Sequence, residues 1–241
     1  MTSGWYDFTD YQVLVVGGTR GQGHAIATAF AESGAYVTVT GTMMLRPRYA
    51  DDLSAFDYES VNLARQDSID HLVRAVQHVD VLVLAAGCNL PHDLPQSERD
   101  FITEAARLGL LGPTFLTTRL RLKLSQSPAL GGGCVVNTGA VRDWLELSSS
   151  HDEAQEELVA STQRAGEKWA GLGVRVNSVT CTPRSVLPRQ YAPGTATAGS
   201  RVAGDTLVRT HQRVTEAVTD AALFLASSSA SRITGQTLRL S

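Results

Sequence analysis

The chain has 241 residues, a formal net charge of −3 and 43% hydrophobic residues. This composition can form one large hydrophobic core and gives no sign of a nucleic-acid or membrane surface. Three widely spaced cysteines, Cys88, Cys134 and Cys181, indicate neither a disulfide framework nor a metal site. No basic region followed by an apolar run opens the sequence, which therefore predicts a cytoplasmic protein.

Short apolar runs alternate with amphipathic segments along the chain. In chain order, the sequence predicts a strand at 12–16, a helix at about 22–33, strands at 36–40 and about 59–62, and a helix at 68–77 with Ser68 as its N-cap. A strand at 79–86, a long helix at 97–124, a strand at 133–138 and a helix at 151–170 follow. A strand at 174–179, a helix at 215–226 and a strand at 237–240 complete the pattern.

This β-α alternation predicts the fold class. Strands that are apolar on both faces indicate a parallel sheet covered by helices, that is, a doubly wound α/β, Rossmann-like domain over residues 1–241. Residues 183–212 include a long stretch rich in Pro, Gly, Ala and Thr. Long loops in compact domains often cover binding sites, so this stretch is predicted to be a substrate loop, although a disordered excursion fits the same composition.

The first strand runs directly into a glycine-rich turn, Gly17-Gly18-Thr19-Arg20-Gly21-Gln22-Gly23. Glycines at this spacing let backbone N–H groups approach a pyrophosphate at the N-terminus of the following helix, where the helix dipole favours an anion. Between the first strand and the first helix of an α/β chain, the pattern predicts a dinucleotide-binding site.

Several motifs together resemble those of the short-chain dehydrogenase/reductase family. They are the glycine turn, Leu84-Ala85-Ala86-Gly87, Gly173-Val174-Arg175-Val176-Asn177, Phe224-Leu225-Ala226-Ser227 and Ile233-Thr234-Gly235-Gln236, in the family's order. The resemblance covers nearly the whole chain and implies an oxidoreductase that binds a nicotinamide dinucleotide. It places the cofactor against Gly17, Thr19, Arg20, Gly21, Gln22, Gly23, Thr42, Asn62, Leu63, Ala85, Ala86, Gly87, Thr138 and Thr182.

NADPH is the predicted cofactor. Chains that bind NAD usually carry an acidic residue about 20 residues after the glycines, and that carboxylate repels a 2′-phosphate. Here the second strand ends in Thr40-Gly41-Thr42-Met43, without an acid, and Arg20 lies in the turn. Arg46 and Arg48 can add positive charge. A solvated surface position is the alternative for Arg20. Asn62 and Leu63 stand where the family contacts adenine, and an amide can both donate and accept hydrogen bonds there.

The family's catalytic Asn-Ser-Tyr-Lys tetrad is missing. The resemblance maps those four positions onto Gly109, Ala140, His151 and Gln155. A shift of the mapping by one or two residues does not restore the tetrad, because no Tyr lies between Tyr58 and Tyr191. No Tyr-x-x-x-Lys occurs anywhere in the chain.

Two functions fit this loss. The first is an NADPH-dependent ketoreductase in which the substrate or water supplies the proton, as in family members that resemble this chain in lacking the tetrad and act on polycyclic aromatic polyketide ketones in antibiotic biosynthesis. The second is a non-catalytic NADPH-binding sensor or partner protein. An intact glycine turn mildly favours the enzyme.

Three residues near the missing tetrad are candidates for the site. His151 can donate a proton near neutral pH, with helix capping or a solvent-facing position as the alternative that the acidic residues after it favour. Ser148 can orient a carbonyl oxygen, with helix N-capping as the alternative. Trp144 suits a flat aromatic substrate, with core packing as the alternative.

The predicted partners are a small-molecule substrate and further copies of the chain. The family assembles through two long helices, here 97–124 and 151–170, so the resemblance implies a homo-oligomer, a dimer or tetramer. No nucleic-acid, membrane or metal partner is predicted.

Overall fold

A computed structural model describes residues 6–86, 111–138, 151–181 and 201–240, and for 151–155 and 201–211 it gives the backbone alone. The described strands are β1 (Gln12–Val16), β2 (Tyr36–Gly41), β3 (Asp57–Ser60), β4 (Val81–Leu84), β5 (Gly133–Asn137), β6 (Val174–Cys181) and β7 (Thr237–Leu240). The described helices are α1 (Gly21–Glu32), α2 (Gln66–Ala75), α3 (Gly112–Ser125), α4 (His151–Ala170) and α5 (Arg201–Ala226), with 3₁₀ turns at Arg46–Arg48 and Ser228–Ala230.

The seven described strands form one parallel sheet in the order β3-β2-β1-β4-β5-β6-β7. The chain begins near the middle, winds outward to β3, and then returns past β1 to wind in the other direction. Strand order therefore reverses between β1 and β4, which is where a crevice opens at the carboxyl ends of a doubly wound sheet. The predicted single-domain α/β, doubly wound fold is confirmed.

Hydrophobic side chains pack on both faces of the sheet. On one face Val13 and Val15 of β1 join Ile26 and Phe30 of α1 and Leu225 of α5. On the other face, Leu14 and Val16 join a second cluster that includes Leu72 of α2, Leu116 and Leu120 of α3, and Trp169 of α4. Alternate residues of β1 thus enter opposite cores, which explains why the strand is a continuous apolar run.

The predicted substrate loop is partly wrong. Residues 201–212 are helical, as the first half of α5, and residues 182–200 lie outside the described part. The last proline of the stretch is Pro193, and Gly204 is the one glycine inside residues 201–212. A single glycine costs a helix only about 1 kcal/mol, which is too little to end a helix that continues for five more turns.

The start of α2 also differs from the prediction. The helix begins at Gln66, so Ser68 lies inside its first turn and is not the N-cap. The Ser68 hydroxyl instead accepts the Asn62 N–H at 2.9 Å, and Asn62 Oδ1 accepts the Ala64 N–H at 2.9 Å. A local turn at Asn62 therefore sets the direction in which the chain enters α2.

Two of the family-like segments pair with each other at the edge of the sheet. Asn177 is fully buried on β6, donates to Ile233 O at 2.8 Å and accepts the Gln236 N–H at 3.0 Å. The Thr234 hydroxyl accepts the Val176 N–H at 3.1 Å. These bonds hold the segment before β7 against β6, so the two motifs form one structural joint.

Arg175 ties the sheet to the last helix. Its buried guanidinium donates to the carbonyl oxygens of Leu225 at 2.5 Å, Ala226 at 3.1 Å and Ala230 at 3.0 Å, and to Gly131 O at 3.2 Å. The first two carbonyls belong to the last turn of α5, where helix carbonyls lack intrahelical partners and the dipole favours a cation. One side chain therefore satisfies several buried acceptors.

Replacing Arg175 with Met is expected to lower the free energy of unfolding by about 2–4 kcal/mol, because buried carbonyls lose their donors while the volume is largely kept. Urea denaturation of Arg175→Met and of Arg239→Met, which lies exposed on β7, measures this directly. The control should change stability by less than about 0.5 kcal/mol. Equal stability of the two variants would contradict the capping role.

Candidate dinucleotide-binding site

The glycine-rich turn lies at the carboxyl end of β1 and has no room for a side chain at Gly17 or Gly23. Gly17 has a φ of +84°, and a Cβ on it would lie 2.5 Å from Ala86 Cα. A Cβ on Gly23 would lie 2.2 Å from Gly17 O. The Gly17 N–H donates to Thr40 Oγ1 at 3.3 Å. The turn is thus pressed between β2, β4 and the start of α1, and this close packing requires glycine at both positions.

The N-terminus of α1 suits an anion. Arg20 stands at the N-cap with extended backbone (φ −165°, ψ 165°); its own side chain makes no capping bond, and the first turn of the helix holds no acidic residue. The first N–H groups of the helix are therefore without an acceptor from the N-cap side chain, and no acidic residue of that turn neutralises the positive end of the dipole. Gly21, with φ +55°, adds no side chain, and Gln22 follows in the first turn. These residues fit a bound pyrophosphate.

The ends of β4 and β5 form the opposite wall. Ala85 is buried and donates its N–H to Val16 O at 2.9 Å, which joins the end of β4 to the end of β1. The Thr138 N–H and hydroxyl both donate to Leu84 O, at 3.1 and 3.2 Å. The structure therefore brings Ala85, Ala86 and Thr138 to the same sheet edge as the glycine turn. Gly87 and Thr182 lie outside the described residues.

Asn62 and Leu63 follow β3 at the same edge. The Val61 N–H donates to Gly41 O at 2.8 Å, which places these residues beside the end of β2. Asn62 is exposed, and its oxygen is used by Ala64, so its side-chain NH₂ is the group best able to donate to an adenine nitrogen. Leu63 is buried against α3, where a Cβ on Gly112 would lie 2.3 Å from Leu63 O.

Residues 42–56, here called the β2–β3 segment, cover the end of β2. Tyr49 Oη accepts the Met43 N–H at 2.9 Å. The Tyr58 hydroxyl donates to Met43 O and lies 3.3 Å from Tyr49 Oη. Arg46 donates to Phe56 O at 2.9 Å, whereas Arg48 is exposed. The segment is therefore fixed by polar bonds at its beginning and its end.

Tyr49 and Tyr58 were not identified from the sequence as site residues. Both are half-buried, and burial, followed by the bond to Tyr49, raises the pKa of the Tyr58 phenol, which therefore stays a hydrogen-bond donor. No periodic pattern marks these tyrosines, because their roles come from contacts within an irregular connection. The one available signal was the glycine at position 41, which leaves space for an aromatic neighbour.

The candidate catalytic residues are only partly placed. Gly109, Ala140, Trp144 and Ser148 lie outside the described residues. His151 and Gln155 stand in the first two turns of α4, where the backbone alone is given. His151 begins that helix, as predicted. Because crossover helices run antiparallel to the strands they connect, the first turn of α4 faces the carboxyl edge of the sheet.

Neither of the chain's two lysines lies at the carboxyl edge of the sheet. Lys123 lies in the last turn of α3 and donates to Val73 O at 2.7 Å and to Val76 O, next to the start of β4. Lys168 lies exposed in the last turn of α4. The last turns of these helices are at the amino edge of the sheet, opposite the glycine turn. Both lysines are thus remote from the glycine turn.

Two further observations limit the chemistry of the described residues. Within them, no group of three His, Cys, Asp or Glu side chains could hold a metal ion. Burial raises the pKa of the Cys134 thiol to about 11, so Cys134 behaves as a small apolar side chain.

No described helix is long and apolar enough to cross a membrane.

The sheet order, the glycine turn and the uncapped helix N-terminus define a doubly wound α/β protein with a dinucleotide site at its switch point. The chain belongs to the short-chain dehydrogenase/reductase family, whose members are oxidoreductases, and it is thus an oxidoreductase by family. The family model described as enoyl-(acyl carrier protein) reductase matches residues 16–240.

Individual relatives are similar over almost their whole length. The 3-oxoacyl-(acyl-carrier-protein) reductase FabG of Vibrio cholerae is 26% identical over 94% of this chain and 94% of its own. The NAD-dependent glycerol dehydrogenase of Listeria innocua is 24% identical over 97% and 93%. A solved short-chain dehydrogenase/reductase family protein is 26% identical, with a TM-score of 0.71 and 97% of both chains covered.

Gly23→Ala is expected to lose both stability and dinucleotide binding. Alanine in a helix is favoured over glycine by about 1 kcal/mol, but the new Cβ would lie 2.2 Å from Gly17 O and displace the turn. We expect Tm to fall by several degrees and the Kd for NADPH to rise at least about tenfold.

Gly171→Ala is the matched control, because a Cβ there meets nothing within 4 Å. Thermal unfolding and titration of the protein fluorescence with NADPH give both readouts. If Gly23→Ala binds NADPH as tightly as the wild type does, the close approach of α1 to Gly17 O is not needed for dinucleotide binding.

Proposed function

We propose that this oxidoreductase is an NADPH-dependent ketoreductase that reduces a ketone of a polycyclic aromatic polyketide in antibiotic biosynthesis, without Ser-Tyr-Lys catalysis. The cofactor assignment rests on which residues stand at the end of β2. Gly41 and Thr42 bear no carboxylate there, and a Cβ on Gly41 would lie 2.8 Å from Thr19 Cγ2, so this strand end touches the glycine turn that carries Arg20.

Electrostatics favours a 2′-phosphate at this place. An acidic residue at the end of β2 would repel a phosphate, and here an arginine stands at the neighbouring helix N-cap instead. Arginine can bind a phosphate with two parallel N–H···O bonds, and the α1 dipole acts in the same direction. Arg48 is exposed in the β2–β3 segment and adds a further positive charge near the strand end. The two named relatives include an NAD-dependent enzyme, so the cofactor is argued from this chain's own residues.

Arg20→Asp is expected to weaken NADPH binding by about a hundredfold and NADH binding by less than about threefold. The change replaces an attraction to the 2′-phosphate with a repulsion, while NADH lacks that group. Fluorescence titration with both cofactors gives the two Kd values. Arg74→Asp, on the exposed end of α2, makes the same charge change away from the site and should alter neither. Equal losses for both cofactors in Arg20→Asp would refute the phosphate assignment.

Loss of the tetrad limits catalysis without preventing it. The bound dinucleotide supplies the hydride. General acid catalysis contributes roughly 10²–10⁴-fold, whereas holding two reactants in a reactive geometry contributes about 7–11 kcal/mol. The chain's part is therefore to bind and orient, and the proton for the nascent alkoxide comes from water or from a hydroxyl next to the ketone on the substrate itself.

The substrate class rests on chemistry and on resemblance. A ketone with a neighbouring phenol carries its own proton donor, which compensates for the missing Tyr. The ketoreductase of simocyclinone biosynthesis, which acts on an angucyclinone ketone, is similar in lacking the tetrad. FabG, named as a reductase of a 3-oxoacyl group, is similar over nearly the whole chain. Trp144 and residues 183–200 are the proposed contacts for the flat ring system.

Ser148 and His151 are proposed as auxiliary polar groups near the reacting carbonyl. His151 begins α4, at the helix end that faces the carboxyl edge of the sheet. An imidazole at this point can supply a proton near neutral pH, but the substrate hydroxyl makes it dispensable.

NADPH oxidation with a peri-hydroxylated polycyclic ketone tests the proposal. We expect turnover by the wild type, and a rate lowered by less than about tenfold in His151→Phe. The same ketone without the neighbouring hydroxyl should react roughly 10²–10⁴-fold more slowly, because it lacks the internal acid. Complete loss of activity in His151→Phe would make the histidine the acid.

Tight NADPH binding without turnover of several such ketones would instead favour the alternative, a non-catalytic NADPH-binding sensor or partner protein. Weak binding of both cofactors would contradict both functions.

A further inference from the structure

Tyr49 occupies the space beside Gly41. A Cβ on Gly41 would lie 2.2 Å from Tyr49 Oη and 2.7 Å from Tyr49 Cζ. Real Cβ atoms do not approach other atoms this closely, so no side chain fits at position 41 while Tyr49 keeps its place. The phenol hydroxyl thus stands at the end of β2, where members of the family that bind NAD carry their carboxylate.

The ring is held there by the β2–β3 segment as a whole. Tyr49 Oη accepts the Met43 N–H and the Tyr58 hydroxyl donates to Met43 O, so both polar groups of the Met43 backbone are used. His24 Nε2 lies 3.1 Å from Asp52 O, and the His24 ring packs edge-on against Phe56 at 5.7 Å. Because His24 lies in the first turns of α1, the segment is tied to the same helix whose N-terminus suits the pyrophosphate.

The Tyr49 proton has a weak acceptor in the structure. Met43 N–H donates to the Tyr49 oxygen, and the Tyr58 proton is given to Met43 O. Among the hydrogen bonds of the described residues, the Tyr58 oxygen, 3.3 Å away, is then left as the acceptor for the Tyr49 O–H, at a distance long for two hydroxyls. A phosphate oxygen is a stronger acceptor than a phenol, so an anion near Gly41 would capture this proton.

We propose that Tyr49 forms one wall of the 2′-phosphate subsite, where its hydroxyl donates to the phosphate and its ring excludes the carboxylate that would select NADH. This inference rests on the proposed NADPH function and names a residue that fixes the cofactor choice. Arg20 and Tyr49 would then act from opposite sides, the first from the glycine turn and the second from the β2–β3 segment.

Removing the Tyr49 hydroxyl tests the donor role. Tyr49→Phe is expected to raise the Kd for NADPH by about 10–100-fold, the value of a lost hydrogen bond to a charged group, and to change the Kd for NADH by less than about threefold. Adenosine 2′,5′-bisphosphate, measured by calorimetry, should lose affinity in parallel with NADPH. Tyr58→Phe is the matched control, because it removes a hydroxyl from the same cluster and leaves the proposed donor in place.

A purely structural role predicts a different result. If Tyr49 only holds the turn, then Tyr49→Phe and Tyr58→Phe would weaken NADPH and NADH by equal factors, and the ratio of the two Kd values would stay at its wild-type value. That result would overturn the proposal.

Introducing the missing carboxylate tests the steric role. Gly41→Asp alone is expected to weaken both cofactors, because its Cβ collides with Tyr49, and Gly41→Ala should weaken both in the same way without adding charge. The double variant Gly41→Asp/Tyr49→Ala removes the two closest contacts, at 2.2 and 2.7 Å, and leaves the Thr19 methyl at 2.8 Å, at the end of a side chain that can shift. This protein should bind NADH at least about tenfold more tightly than Gly41→Asp does, and should bind NADPH poorly.

The two proposals fail separately. Wild-type protein that binds NADH as tightly as NADPH would refute the NADPH assignment before any variant is made. Wild-type preference for NADPH that Tyr49→Phe leaves unchanged would refute the role of Tyr49 alone. If Tyr49→Phe has a lowered Tm, the double variant Gly41→Asp/Tyr49→Ala remains a test of the proposal. Failure of this double variant to bind NADH more tightly than Gly41→Asp does would refute the steric role of Tyr49.

Discussion

The site depends on one close contact, the approach of Gly17 to Ala86 at the ends of β1 and β4. A methyl group on Gly17 would lie 2.5 Å from Ala86 Cα, so the two strand ends touch through backbone alone. This contact lies where the strand order reverses, and it leaves the turn after β1 free to lead at once into α1. The helix N-terminus, the end of β2 and the end of β4 all take their positions from it. The candidate dinucleotide site in this chain is therefore formed first by close backbone packing and only then by side chains.

Helix direction determines which helix ends, and therefore which side chains, can contribute to the site. The first turns of α1 and α4 face the carboxyl edge of the sheet, whereas both lysines lie in the last turns of their helices. A cofactor can be gripped at that edge by N–H groups and arginine without any lysine. Under the proposed function, chemistry at this edge falls on groups that the substrate brings, which restricts the substrates more strongly than a complete tetrad would.

Most of the fold could be predicted from the sequence, because buried parallel strands and crossover helices leave strong periodic patterns. The strands Gln12–Val16 and Thr237–Leu240 and the helix His151–Ala170 have the predicted bounds. Composition misled the prediction at 201–212, because the proline-rich part of the stretch ends before α5 begins and Gly204 does not interrupt the helix. The backbone part of the site followed from glycine spacing. Tyr49 did not, because a residue that acts through an irregular connection, eight positions from the strand end it covers, leaves no periodic or motif signal.

The hydrogen bonds between Arg175 and the carbonyl groups at the end of α5 affect how the protein responds to acid. Its four bonds end on carbonyl oxygens, and neither a guanidinium nor a peptide carbonyl gains or loses a proton between mild acid and mild base. Ion pairs that contain a buried carboxylate lose their attraction as pH falls through the carboxyl pKa, but these hydrogen bonds contain no carboxylate and have no such threshold pH. The attachment of the last helix to the sheet therefore keeps its strength across that range, and loss of structure in acid should begin elsewhere in the domain.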